Sequence, residues 1–355
     1  APWLDSISRE WLDSGELERL RDTYALRGVT SNPSIFQAAL KSDVYHDDIR
    51  RFAADGLDDR TIFHRLAVDD IQRACDVFAV VHEATGDGYV SIEVDPDLAH
   101  DTEGTIEQAR TLHAAVARPN VLIKIPATEA GIPAIEQVLT DGIGVNITLL
   151  FDSGVAGRVR EAWLRALTTR HEAGLPVSGI ASVASFFVSR VDAKVDPLLD
   201  ALDSDEVSDL RGTAAVANAA LSWADAQRLH EDPRWLTLEA AGATSQRLLW
   251  ASTGTKDPSY SSVKYVEELV AVDTVNTLPL ATIKAFAAYT GDVRIAIDSE
   301  HVQNARRQLD RLAECGIDFS TVTDELRDEG VAAFVASFEG LLADVATARA
   351  MASTT

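Results

Sequence analysis

The chain has 355 residues, 46% hydrophobic and 25% charged, a balance that suits a folded globular protein and excludes a disordered or fibrous one. Its formal net charge of -24 argues against nucleic acid or an acidic membrane as partner, and any anionic metabolite must be met by a local cluster of Arg or Lys. Two widely separated cysteines, Cys75 and Cys315, offer no disulfide framework or zinc site, and the eight histidines show no metal-binding spacing.

Gly142-Ile143-Gly144 is too short for a dinucleotide fingerprint, so neither a metal nor a nicotinamide cofactor is expected. No uninterrupted apolar run approaches the ~18 residues of a membrane span. The opening Ala1-Pro2-Trp3-Leu4-Asp5 forms no secretory signal, so a cytoplasmic location without a membrane partner is expected. The missing initial methionine leaves room for a removed leader.

In chain order, eight short β-rich runs alternate with helical patterns: around Trp3 to Ser6, Gly28 to Asn32, Tyr89 to Asp95, Val121 to Pro126, Val145 to Phe151, Ile180 to Phe187, Leu248 to Ser252 and Val275 to Leu278. That alternation predicts an α/β fold, a (β/α)8 TIM barrel with additional helices. Helices are read from 3.6-residue spacing, as in Ile106, Ala109, Leu112 and Val116, or Val155, Val159, Ala162, Trp163 and Ala166. One barrel domain over residues 1–355 is expected, with helical insertions at about 43–85 and 190–245 and a C-terminal helical extension at about 318–352 packed back on the barrel. Within these, Arg60 to Ala84 and Arg190 to Leu229 read as long helical stretches, and the acidic run 200–209 as a surface turn.

The strands carry a second signal in their period of two. Val90, Ile92 and Val94 oppose Ser91, Glu93 and Asp95; Val121, Ile123 and Ile125 oppose Leu122 and Lys124; Val145, Ile147 and Leu149 oppose Asn146 and Thr148; Gly28, Thr30 and Asn32 fall together. With the apolar face against the helices, Asp5, Asn32, Glu93, Lys124, Asn146 and Thr148 point into the barrel near its C-terminal mouth, where barrel enzymes place their sites. So many inward polar groups would leave hydrogen bonds unmet in a purely structural barrel. Lys124 stands out, because a buried ammonium must be paired or give up its proton, and a neutral amine attacks carbonyl carbon to form a Schiff base. Two carboxylates beside it supply the proton transfers of an aldol cleavage, while Asn32, Asn146, Thr148 and Ser185 suit the hydroxyls of a polyol.

The segments that carry this pattern resemble the transaldolase family from Trp3 to about Phe286. They are Gly28-Val29-Thr30-Ser31-Asn32-Pro33-Ser34, Ser91-Ile92-Glu93-Val94-Asp95, Leu122-Ile123-Lys124-Ile125-Pro126-Ala127-Thr128 and Gly144-Val145-Asn146-Ile147-Thr148-Leu149-Leu150-Phe151. Ala184-Ser185-Phe186-Phe187-Val188-Ser189-Arg190-Val191-Asp192, Trp250-Ala251-Ser252-Thr253-Gly254-Thr255-Lys256 and Thr274-Val275-Asn276-Thr277-Leu278-Pro279 extend the likeness. The last two are most similar to a bacterial subgroup of longer chains; some of its members are fused to a phosphoglucose isomerase, for which this sequence is too short.

The resemblance implies transfer of a dihydroxyacetone unit from sedoheptulose 7-phosphate to glyceraldehyde 3-phosphate, without a cofactor. A monomer or homodimer is expected, the sequence itself not fixing which. The resemblance assigns Lys124 as Schiff-base nucleophile, Asp5 as acceptor of the C4 hydroxyl proton, and Glu93 as acid/base through a water held with Thr148. Thr30, Asn32, Asn146 and Ser185 then hold the three-carbon unit, Phe187 walls the pocket, and Arg190, Ser252 and Lys256 take the phosphate. The sequence departs from many relatives at Gly254, where they carry Arg, which leaves Lys256 to act as a point charge rather than a fork. A fructose 6-phosphate aldolase is the neighbouring alternative, and a non-catalytic barrel that binds sugar phosphates the remoter one.

Overall fold

The computed structural model describes residues 1–202 and 204–352. Eight strands form the frame: β1 (Pro2–Asp5), β2 (Gly28–Thr30), β3 (Tyr89–Glu93), β4 (Val121–Pro126), β5 (Val145–Leu150), β6 (Ser182–Phe187), β7 (Arg247–Ala251) and β8 (Thr274–Leu278). Each pairs in parallel with its sequence neighbour, and β8 closes on β1 through Trp3 opposite Thr277. The expected (β/α)8 barrel is the observed one. Every strand expected from the sequence is present, shifted by at most two residues at either end.

The connections carry the helices. After β1 come α1 (Arg9–Ser14) and α2 (Glu16–Tyr24), and after β2 come α3 (Pro33–Ala39), α4 (His46–Ala54) and α5 (Asp59–Thr85). Single helices follow the next three strands: α6 (Thr102–Val116), α7 (Gly131–Thr140) and α8 (Ser153–Glu172). Then come α9 (Ser189–Asp200), α10 (Ala214–Gln227) and α11 (Pro233–Ala240) before β7, α12 (Lys264–Glu267) before β8, and α13 (Leu280–Ala287), α14 (Ser299–Glu314) and α15 (Phe319–Ala352) after it.

Local chemistry sets these boundaries. Asp58 accepts from the Thr61 amide to start α5 and Gly86 at φ 71° ends it; Asp101 and Asp152 cap α6 and α8 in the same way. The helical stretch expected from Arg190 to Leu229 is broken. Pro197 sits in the last turn of α9, and Gly212 adopts φ +71° before α10 begins. In the acidic run 200–209, residue 203 lies outside the described residues, and a 3-10 turn occupies Asp205–Leu210.

The helices bury the stripes their spacing foretold, except that Val155 at the start of α8 is only half-buried. Ile106, Ala109, Leu112 and Val116 of α6 and Val159, Ala162, Trp163 and Ala166 of α8 are all buried, each large side chain contributing about 1.5–3 kcal/mol on transfer from water. Trp163 packs on Trp235 of α11 with ring centroids 5.4 Å apart, joining two layers of helix. At the base of the barrel Gly28 has no alternative, because a Cβ there would lie 2.6 Å from the Trp3 ring.

α15 crosses the C-terminal mouth. By length and composition alone it is long and apolar enough to cross a membrane, although Glu339 and Asp344 interrupt its run. Its buried residues Val331, Phe334, Phe338, Leu341 and Val345 recur at three- and four-residue intervals and form one face against the barrel.

Candidate active site

Strand pairing delivers three of the expected residues to one level, with Thr148 two residues further along β5. Glu93 lies opposite Lys124, Lys124 opposite Asn146, and Pro126 opposite Thr148, while Asp5 lies opposite Thr30 on the far side of the barrel. The Lys124 Nζ donates to Glu93 Oε2 at 2.9 Å and to the Ser31 carbonyl at 3.1 Å, with both side chains about 5–6% exposed. Burial pushes the Glu93 carboxyl up; the adjacent Lys124 charge opposes this and the Asp5 charge adds to it. Burial also raises Asp5, opposed by the hydrogen bond it accepts from Thr30 Oγ1 at 2.7 Å and by Lys124.

A second chain of polar groups runs along the inner wall. Ser185 Oγ donates to Asn146 Oδ1 at 2.6 Å, and Asn146 Nδ2 donates to Ser91 Oγ at 2.9 Å. Thr148 Oγ1 is buried without a hydrogen-bond partner among the described residues, so its hydroxyl is open to a substrate or water on the same face as Lys124. Just beyond it the strand bends. Leu149 takes φ +60°, costly for a residue with a Cβ, where the β5–β6 register slips between Ile147 and Leu150.

Asn32 lies past the end of β2 and is more constrained than an inward-pointing strand residue. Its Oδ1 accepts from the Ile35 amide as N-cap of α3, which leaves the Nδ2 donor for any ligand. Phe187 is buried and packs on Phe151 at 5.1 Å. Arg190, at the start of α9, lies over the Phe187 ring at 5.3 Å, and burial lowers its pKa. Glu329, the carboxylate that acts on it, is itself paired with Lys194 at 2.5 Å. No ion pair involves Arg190 among the described residues, and a half-buried guanidinium without a counter-ion is fit for an anion.

Ser252 sits just past β7, beside the start of α9. Its backbone is at φ +53°, its carbonyl accepts from the Ser189 amide at 3.0 Å, and its Oγ is 3.1 Å from Ser189 Oγ. Lys256 is exposed, four residues on in the same loop. The loop is tied to α9 by two aspartates one turn apart: Asp192 accepts from Tyr265 Oη at 2.7 Å and Asp196 from Tyr260 Oη at 2.6 Å. Their other oxygens accept from the amides of Ala215 and Gly212. Burial pushes the Asp192 carboxyl up to about 6, with the Ala215 and Tyr265 hydrogen bonds opposing it.

Three groups at this site escape the alternation argument. Thr277 of β8 shares a 2.6 Å hydroxyl contact with Thr30; its face is polar at the same period, a signal present in the sequence. The Ser31 carbonyl is backbone and carries no side-chain signal. Phe334 of α15 places its ring centroid 5.4 Å from Lys124 Nζ, and nothing in the strand pattern points to a helix so distant in sequence.

A buried amine between carboxylates, amides and hydroxyls at a barrel mouth is equipped for carbonyl addition followed by proton transfer. The transaldolase/fructose-6-phosphate aldolase family profile matches residues 2–345. Curated relatives named transaldolase include one from Mycolicibacterium smegmatis, 47% identical over 96% of this chain and 92% of its own length, and one from Streptomyces coelicolor, 46% identical over 97% and 91%. A Nostoc relative named transaldolase 2 is 44% identical over 96% of the chain and 92% of its own. The chain belongs to the transaldolase/fructose-6-phosphate aldolase family. It is therefore an enzyme of the transaldolase type, built on a closed eight-strand barrel.

Proposed function

We propose that this enzyme transfers a dihydroxyacetone unit from sedoheptulose 7-phosphate to glyceraldehyde 3-phosphate, giving erythrose 4-phosphate and fructose 6-phosphate in the cytoplasmic pentose phosphate pathway. The observation that carries the reading is the buried Lys124 amine held between Glu93 and the Ser31 carbonyl.

In this mechanism Lys124 adds to the C2 ketone, and Glu93 moves protons through a water shared with Thr148 as the carbinolamine loses water to the iminium. Asp5 takes the C4 hydroxyl proton, the C3–C4 bond breaks, and the iminium accepts the electron pair to become an enamine. Thr30, Asn32, Asn146 and Ser185 hold the three-carbon hydroxyls, and Phe187 walls them. Arg190 and Ser252 take the phosphate. Lys256, being exposed, contributes a longer-range charge in place of the fork absent at Gly254.

Borohydride reduction with fructose 6-phosphate, followed by peptide mass spectrometry, is expected to place the reduced sugar fragment on Lys124; an unlabelled Lys124 excludes the covalent mechanism. Consumption of fructose 6-phosphate is expected to need erythrose 4-phosphate. Equal consumption without it would favour the aldolase reading.

A further inference from the structure

We propose that α15 is a water-excluding strap across the barrel mouth, and that Phe334 is the residue on it that favours transfer of the bound three-carbon unit over its release to water. The inference rests on the Schiff-base reading of Lys124. The strap is anchored on both sides of the mouth. Lys194 of α9 pairs with Glu325 at 2.8 Å and Glu329 at 2.5 Å, and at the opposite end Arg349 pairs with Asp59 of α5 at 3.0 Å. Between the anchors Ser337 Oγ meets Ser34 Oγ of α3 at 2.8 Å.

The helix also sits close. At Gly330 a Cβ would lie 2.8 Å from Leu149 Cδ2, so a side chain there would have to push that methyl aside, and the helix backbone sits directly on the bulged end of β5. One turn later Phe334, 5% exposed, lies over Lys124 Nζ with its ring centroid 5.4 Å away. One turn beyond that, Phe338 is packed edge-on against Phe63 at 5.8 Å and lies under Arg60 at 5.2 Å. Phe338 fixes the helix, whereas Phe334 faces the reacting nitrogen.

The competing reactions differ in one reactant. In transfer, the enamine carbon C3 forms a bond to the acceptor aldehyde carbon, and the iminium of the longer sugar results. In release, C3 takes a proton from water instead, and the iminium of dihydroxyacetone results. In both routes water held by Glu93 and Thr148 then adds to C2, the C2–N bond breaks, the amine returns to Lys124 and the ketose leaves, so the routes part at C3. A benzene ring beside the enamine gives any further water, one that could bring a proton to C3, no acceptor or donor to rest on. The same ring presents a negative face to the nitrogen, so it excludes water without opposing the positive charge that each iminium carries. An aliphatic side chain would do the first only, and alanine neither.

The test uses the full chain and compares two rates from fructose 6-phosphate: dihydroxyacetone release without an acceptor, and transfer to erythrose 4-phosphate. Because both are measured on one preparation, loss of folded enzyme lowers them together and leaves their ratio unchanged. Phe334→Ala is expected to raise the release-to-transfer ratio about tenfold, with Phe334→Leu in between. Phe338→Ala, which loosens the same helix one turn away, is expected to leave the ratio as it is. An unchanged ratio in both Phe334 variants, or an equal rise in Phe338→Ala, overturns the assignment to Phe334. Absence of any borohydride adduct on Lys124 in the unaltered chain overturns the Schiff-base reading itself, and this inference with it.

Discussion

In the proposed mechanism Asp5 must be ionised to take a proton, yet burial works against its charge, and the Thr30 hydroxyl at 2.7 Å is what opposes that penalty first. Removing the donor therefore moves the carboxyl further up, and the acid limb of the rate profile moves with it. Thr30→Val keeps the shape and deletes the hydroxyl, so the pH at which kcat is half-lost on the acid side is expected to rise; a limb that stays put or falls would separate Asp5 from the proton transfer. At this scale the sequence was readable wherever a strand alternates: Glu93, Lys124, Asn146 and Thr148 follow from their period of two. Asn32 does not, because the strand has ended at Thr30 and the side chain answers to the first turn of α3 instead.

In the proposed reading, the phosphate end of the site is set by how α9 holds the connection after β7. Asp192 and Asp196, four residues apart on one face, grip Tyr265 and Tyr260, while Ser189 at the helix start bonds to Ser252. Tyr260 acts as a positioning residue. Tyr260→Phe removes a charge-assisted hydrogen bond without removing the ring, so KM for glyceraldehyde 3-phosphate is expected to rise roughly three- to tenfold with kcat little changed. Unphosphorylated glyceraldehyde, with nothing for the loop to hold, is expected to show no such change; equal losses on both acceptors would assign Tyr260 to general stability. None of these pairings is visible in the sequence, since i,i+4 acids on a helix read equally well as a solvated face. Lys256 shows the same limit, because its position in a loop fixes neither its reach nor its exposure.

The whole molecule depends on ties between the barrel and the helices inserted into it. Arg9, 5% exposed at the start of α1, pairs with Asp70 at 2.7 Å and Asp69 at 3.1 Å in α5 and with Asp48 at 2.5 Å in α4, and Tyr45 also donates to Asp70. Arg9→Leu leaves the buried Asp70 charge without its partner and is expected to lower unfolding stability by about 3–5 kcal/mol in urea titration. A loss under about 1 kcal/mol would mean that the carboxylates are met by water. The barrel itself was legible because eight local β-runs and their crossovers admit few closed arrangements. The docking of α15 was foreseeable only as helix against barrel. Its register over Lys124 depends on Gly330, Phe334 and Phe338 meeting groups hundreds of residues earlier in sequence, and no local period encodes such a match. Chains grow from the amino end at about 5–20 residues per second, so Lys124 on β4 leaves the ribosome well before the helix that lies over it. During that interval the lysine is an ordinary amine open to any passing carbonyl. In the arrangement proposed above, α15 once docked restricts which aldehydes and ketones the amine can meet.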